Sequence, residues 1–116
     1  MWWSRQVFRV RIARTDAERA RGLSFVRALA PWQGMMFVFP TEARHTFTNA
    51  RTYVPLDLVT VSAEGRVQEV IPMATETSPP TLYTPSLPFR IALELRQGST
   101  LRDGVRPGTR LYLPAA

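Results

Sequence analysis

Short segments in which apolar and polar residues alternate recur along this chain, and they constrain the fold more than any other feature. The segment "QVFRVRIA" places Phe8, Val10 and Ile12 on one side and its arginines on the other. The segment "FRIALELRQG" (residues 89–98) repeats the same period. A period of two is that of a strand with one buried face. The chain is therefore expected to form mainly β-structure.

Other segments add strands and one helix. "GMMFVFP" is continuously apolar between a glycine and a proline, which is typical of a fully buried strand. "LDLVTVS" and "RVQEVIP" are joined by "AEG", whose Gly65 can take a positive φ, and this predicts a hairpin. In "TDAERARGL", Thr15 and Glu18 have the spacing of a capping box, and Gly22 suits a helix end. The final "GVRPGTRLYLP" predicts a closing strand.

These elements together predict a mainly antiparallel β-sandwich or barrel with one short N-terminal helix. The Pro-rich stretch "TETSPPTLYTPSLP" is expected to be an ordered loop or lid. A length of 116 residues suits one hydrophobic core and is short for two. A single domain over residues 1–116 is therefore expected.

The charge and the missing residue types exclude several classes of protein. Every basic residue is an arginine, and 15 of them against 9 acidic residues give a net charge of +6. Cysteine is absent, which excludes disulfides and thiolate metal sites. No segment has the roughly 20 apolar residues of a membrane-crossing helix. The first residues lack the apolar region of a signal peptide, so we expect a cytoplasmic protein or a mature exported form.

Five segments, taken in order, resemble the family of uncharacterised proteins called DUF192, also known as UPF0127. They are "ERARGLSF", "GMMFVF", "TYVPLDLVTVSAEGRV", "YTPSLPFRIALELRQG" and "GVRPGTRL". The resemblance covers nearly the whole chain and implies a compact sandwich or jelly-roll-like fold with a short helix. It implies no reaction, cofactor or ligand. Where the family usually carries an aromatic residue, Met, Lys and Asn, this chain has Thr48, Asn49, Ala50 and Arg51, which is a change in any site formed there.

Asp57 is the first candidate for a functional residue. In a regular strand it shares a face with Val59 and Val61, while Leu56 and Leu58 occupy the other face, so the carboxylate is expected to be partly buried. A buried carboxylate needs a cation or several hydrogen-bond donors. One interpretation is a structural acid that accepts backbone N–H groups or pairs with an arginine. The other is a ligand-binding or catalytic acid at the mouth of a pocket.

Glu94 is the second candidate, since it lies in the apolar run "IALEL". Arg90 is on the same strand face, opposite the apolar one, and this favours an outward glutamate paired with Arg90 or a cross-strand neighbour. The alternative is that Glu94 and Asp57 converge across the sheet as an acid and base pair. Sequence alone does not place the two carboxylates together.

Other kinds of site have weaker support. His45 is the only histidine, so neither a metal site nor a cofactor is expected. No G-x-S-x-G motif or phosphate-binding glycine loop is present. Arg9 and Arg11, which are expected to be exposed, suit an anionic partner together with the nearby Arg5, Arg14, Arg19 and Arg21. The usual nucleic-acid-binding signatures are absent, however, and nucleic acid is not the expected partner.

The sequence favours a small binding module for a polar or sugar-like small molecule. The candidate ligand-binding residues are Thr52, Asp57, Tyr83, Arg90, Glu94 and Arg51. The alternatives are a hydrolase that uses Asp57 and Glu94 as its acid and base, and an arginine-mediated binder of anions or nucleic acid. The oligomeric state is left open.

Overall fold

The computed structural model describes residues 7–114, which contain seven strands and two short helices. In chain order they are β1 (Arg9–Ala13), α1 (Asp16–Arg21), β2 (Gln33–Ala43), β3 (Phe47–Thr48), β4 (Leu56–Val61), β5 (Val67–Met73), β6 (Leu82–Tyr83), β7 (Phe89–Arg96) and α2 (Ser99–Arg102). The prediction of a mainly β fold is confirmed.

Five strands form one sheet in the order β1-β2-β7-β4-β5. β1 and β2 are parallel, and the other neighbours are antiparallel. The sheet is therefore mixed, with antiparallel pairing predominant as predicted. β1 and β2 can pair in parallel because residues 14–32 supply the long connection that parallel neighbours need. In the described chain β1 and β5 are edge strands, so the sheet is open and the barrel prediction is wrong.

The two faces of this sheet have different covers. On one face, which we call the small-sheet face, the two-stranded β3-β6 sheet packs through Phe47, whose ring centroid lies 5.2 Å from that of Phe37 and 6.1 Å from that of Phe89. The other face, which we call the tail face, carries Met36, Val59, Val61, Leu93 and Leu95 and packs against Val105, Leu111 and Leu113 near the end of the chain. β1 follows the predicted alternation, since Phe8, Val10 and Ile12 also pack on the tail face; Gln6 lies outside the described residues.

The predicted helix forms, and a second helix was missed. α1 begins after Thr15 with both hydrogen bonds of the capping box to Glu18, and ends before Gly22, as predicted. The expectation of one helix is wrong because α2 follows β7. The segment "STLR" of α2 has no side-chain cap, and its N-cap Gly98 is left-handed at φ 95°. Such a short element leaves little periodic signal in the sequence.

The β4–β5 hairpin is confirmed, with Gly65 at φ 82°. The prediction of a closing strand is wrong, because residues 104–114 form no strand and make one isolated β-bridge, between Arg66 and Arg110. Pro107 and Pro114 have no N–H to extend a ladder. No helix among residues 7–114 is long and apolar enough to cross a membrane.

Candidate functional site

A cleft of about 240 Å³ opens on the small-sheet face, between α1 with its following turn and the segment 46–52. The rings of Phe37, Phe39 and Phe47 contribute to its walls. A second cavity, of about 440 Å³, lies beside the β4–β5 turn, but its ionisable groups are exposed. A buried ionisable group within a cleft is a better sign of function than volume. The smaller cleft is therefore the candidate site.

Glu94 provides the carboxylate of this cleft. Its residue is only 6% exposed, since β7 is a central strand and its neighbours across the ladders are Met35 and Leu58. Among residues 7–114, no donor forms a hydrogen bond to its side chain. Burial raises the pKa of Glu94 to about 8. At neutral pH this side chain is therefore mainly a neutral carboxylic acid, which can both donate and accept a hydrogen bond.

Hydroxyl groups line the cleft beside Glu94. They belong to Ser24, Thr46, Thr48 and Thr52. Thr52 is buried, and its hydroxyl donates to the Ala50 carbonyl at 3.4 Å, a long bond. Aromatic walls with a few polar groups are typical of sites for small polar molecules.

Three arginines also line the cleft, namely Arg19, Arg21 and Arg51. The Arg19 guanidinium pairs with Asp16, donates to the Val38 carbonyl at 2.8 Å and lies over the Phe39 ring. Arg21 and Arg51 are exposed, and no carboxylate in the described part of the chain forms an ion pair with either guanidinium. The cleft thus combines a neutral acid with free positive charge.

Asn49 holds the segment 46–52 in place, and sequence reasoning missed it. The residue is fully buried; its Nδ2 donates to the Thr75 carbonyl at 2.9 Å, and its Oδ1 accepts the Thr81 N–H at 2.8 Å. The Glu76 N–H donates to the Thr52 carbonyl at 2.7 Å. The Pro-rich loop is therefore anchored to the edge of the cleft. The only signal in the sequence is an asparagine next to a short strand, which is too common to be informative.

The family model DUF192, described as an uncharacterised ACR, matches residues 3–113. The chain belongs to the DUF192 family.

Two solved structures are similar to this DUF192 protein. A putative transcription regulator from Sinorhizobium meliloti 1021 has 29% identity and a TM-score of 0.83, over 89% of this chain and 79% of the other. A protein of unknown function from Novosphingobium aromaticivorans DSM 12444 has 31% identity and a TM-score of 0.80, over 91% and 75%. No curated protein matches the chain.

Asp57 of the DUF192 chain is buried on the tail face, away from the cleft. Its pairing partner across the ladder is Leu95, whereas that of Glu94 is Leu58, one position along, so the two carboxylates project from opposite faces of the sheet. Its Oδ2 accepts the Gly98 N–H at 3.0 Å and the Thr100 hydroxyl at 2.7 Å. These contacts match the structural interpretation of Asp57. The structure does not bring Asp57 and Glu94 together.

Tyr83 and Arg90 also do not line the cleft. The Tyr83 hydroxyl accepts the Ala74 N–H at 3.0 Å. Arg90 Nε donates to the Phe39 carbonyl at 3.2 Å, so the expected pairing of Arg90 with an outward Glu94 is wrong. Of the predicted site residues, the structure brings Arg51, Thr52 and Glu94 to the cleft of this DUF192 protein.

His45 packs by stacking. Its ring lies parallel to that of Phe39 with centroids 3.7 Å apart, and its Nε2 lies 3.0 Å from the Thr41 carbonyl. No group of three or more metal-ligating side chains occurs within residues 7–114. The polar lining of the cleft consists of Glu94, the hydroxyl groups and the arginines.

Proposed function

We propose that this DUF192 domain binds a polar, sugar-like small molecule in the cleft. Glu94 carries the proposal, because this residue is only 6% exposed, lines an open cavity and receives no side-chain hydrogen bond from residues 7–114. Buried polar groups in proteins almost always have partners. A ligand hydroxyl group would supply the missing partner for Glu94.

The remaining lining of the cleft supports the same ligand class. Aromatic rings such as those of Phe37 and Phe47 can pack against the apolar face of a sugar ring. The Thr52 hydroxyl, with its long bond to Ala50, can turn towards a ligand oxygen. The volume of about 240 Å³ limits the occupant to a small molecule or one end of a larger one.

Two other functions have less support. A hydrolase that uses Asp57 with Glu94 would need both carboxylates at one bond, and they lie on opposite faces of the sheet. The description of one similar structure as a putative transcription regulator suggests DNA binding as another function. In residues 7–114 the longest helix has 6 residues, which is short for a recognition helix, so we do not propose that function.

A thermal-shift screen with sugars, sugar acids, sugar phosphates and nucleotides tests the proposal. A ligand at about 100 times its dissociation constant adds about 2.7 kcal/mol, which raises the melting midpoint by several degrees in a domain of this size. Ala50→Trp fills the cleft and should abolish the shift. Ala63→Trp, in the larger cavity, is the matched control and should keep it. A flat screen, or a shift lost only in Ala63→Trp, would contradict the proposal.

A further inference from the structure

We infer that the ligand is a hydroxylated organic anion, with its hydroxyl groups at Glu94 and its negative charge at Arg21 and Arg51. This inference rests on the proposed function and names the class of molecule that the cleft selects. It covers sugar acids and sugar phosphates, which share this chemistry.

The charges that line the cleft favour an anion. Its carboxylate is that of Glu94, and three guanidiniums line the same cavity. Arg19 is partly neutralised by Asp16, whereas no described carboxylate pairs with the Arg21 or Arg51 guanidinium. Guanidinium groups bind carboxylate and phosphate oxygens through paired N–H donors. Two unpaired arginines at one small cavity therefore suit one anionic group.

Glu94 does not oppose this charge. Its cross-strand neighbours, Met35 and Leu58, are uncharged, and the other ionisable side chains that line the cavity are the three arginines. Burial raises the pKa of Glu94 to about 8, so its carboxyl group is mainly neutral at neutral pH. A neutral acid does not repel an anion. A molecule with a hydroxylated end and an anionic end therefore suits this lining.

The backbone near Arg51 is held in an unusual conformation. Arg51 and Phe25 are the two described non-glycine residues with positive φ, at 55° and 66°. The Phe25 N–H donates to the Arg51 carbonyl at 2.9 Å, and the Arg51 N–H donates to Glu76 Oε2 at 2.7 Å. The Arg51 guanidinium lies 5.9 Å from the centre of the Phe25 ring. Backbone outliers that are held in this way are concentrated at binding sites.

Four sugars of one scaffold test the inference by titration calorimetry at about pH 6.5, where the Glu94 carboxyl is mainly neutral. They are glucuronate, glucose 6-phosphate, glucose and glucosamine. We expect at least one of the two anions to bind about tenfold more tightly than glucose, and glucosamine to bind most weakly. Whichever of glucuronate and glucose 6-phosphate binds more tightly shows whether the ligand is a carboxylate or a phosphate.

Variants locate the preference. Arg21→Gln and Arg51→Gln should each weaken anion binding about tenfold and weaken glucose binding much less, because glucose carries no charge for the guanidinium to bind. Arg106→Gln is the matched control, because Arg106 is exposed outside the cleft, and it should bind all four sugars as the natural chain does. Glucose binding as tightly as both anions, or glucosamine binding best, would overturn the inference and leave the proposed function intact. If none of the four binds, the sugar-like function itself fails.

Discussion

The strand pattern around Glu94 predicts which face of β7 this residue occupies, but not whether that face is exposed. The alternation along residues 89–96 correctly puts Ile91, Leu93 and Leu95 on one face and Glu94 on the other. The expectation that this second face is outward is wrong, because α1 and the segment 46–52 cover it. Both covers come from distant parts of the chain. A strand's own period does not report whether its second face is covered.

The pH dependence of stability tests the burial of Glu94. Its pKa is 4.5 when exposed and about 8 in the folded protein. Between these values the folded state keeps a proton that the unfolded state has released, so the free energy of unfolding should fall as pH rises from about 5 to about 8. The loss has an upper limit of about 5 kcal/mol, at about 1.4 kcal/mol per pKa unit.

Urea denaturation across this pH range, with two variants, measures the effect. Glu94→Gln keeps the size of the side chain and does not titrate, so it should remove most of the slope. Glu42→Gln changes an exposed acid on β2 and should keep the slope of the natural chain. Equal slopes in the natural chain and in Glu94→Gln would mean that Glu94 is hydrated rather than buried.

Asp57 links two parts of the fold, because its carboxylate joins β4 to the turn between β7 and α2. One carboxylate oxygen accepts both the Gly98 N–H and the Thr100 hydroxyl. Partial burial on the face of Val59 and Val61 was predicted correctly from the strand pattern. The partners were not predicted, because α2 has almost no periodic signal and Gly98 is far along the chain.

Removal of this carboxylate should destabilise the fold without affecting the cleft. Asp57→Ala leaves the Gly98 N–H and the buried Thr100 hydroxyl without their acceptor, which should cost about 2–4 kcal/mol of unfolding free energy. A double-mutant cycle with Thr100→Val should give a coupling energy of about 1 kcal/mol or more. The matched control, Asp16→Ala, removes an exposed acid of α1 and should cost less than about 1 kcal/mol.

The measurement is chemical denaturation together with the ligand titration at a temperature where the variant is folded. A folded Asp57→Ala protein that no longer binds the glucuronate or glucose 6-phosphate probe would assign Asp57 to the ligand site instead. The position of Asp57 on the tail face leads us to expect unchanged binding.

The order of the strands in the five-stranded sheet could not be predicted from the sequence. Local patterns located β1, β2, the β4–β5 hairpin and β7. They contain no information that β7, the last strand, lies between β2 and β4, or that β1 is parallel to β2. The cleft depends on that order, since Glu94 comes from the central β7 and its covers come from α1 and residues 46–52. Each of Arg51, Thr52 and Glu94 could therefore be identified as a candidate from the sequence, but the cleft that they share could not be predicted.

The arginine-rich composition also acts on the molecule as a whole. With 15 basic and 9 acidic residues, the folded chain concentrates a net charge of +6. The Asp16 carboxylate that pairs with Arg19 is fully exposed, and such a pair offsets little of the resulting repulsion. Sodium chloride shortens the screening length from tens of ångströms to a few. An increase from about 20 to about 300 mM should therefore stabilise the fold by about 1 kcal/mol and raise the melting midpoint by roughly 4 °C.

A variant with a lower charge separates repulsion from other effects of salt. Arg9→Gln with Arg11→Gln removes two exposed positive charges from the edge strand β1, and neither arginine lines the cleft. Its melting midpoint at low salt should exceed that of the natural chain, and the rise with salt should be smaller, because less repulsion remains to be screened. Calorimetric melts of both proteins at each salt concentration give the comparison. A midpoint that falls with added salt would mean that attractive ion pairs outweigh the net repulsion, and the excess of arginine would then need an explanation in binding alone.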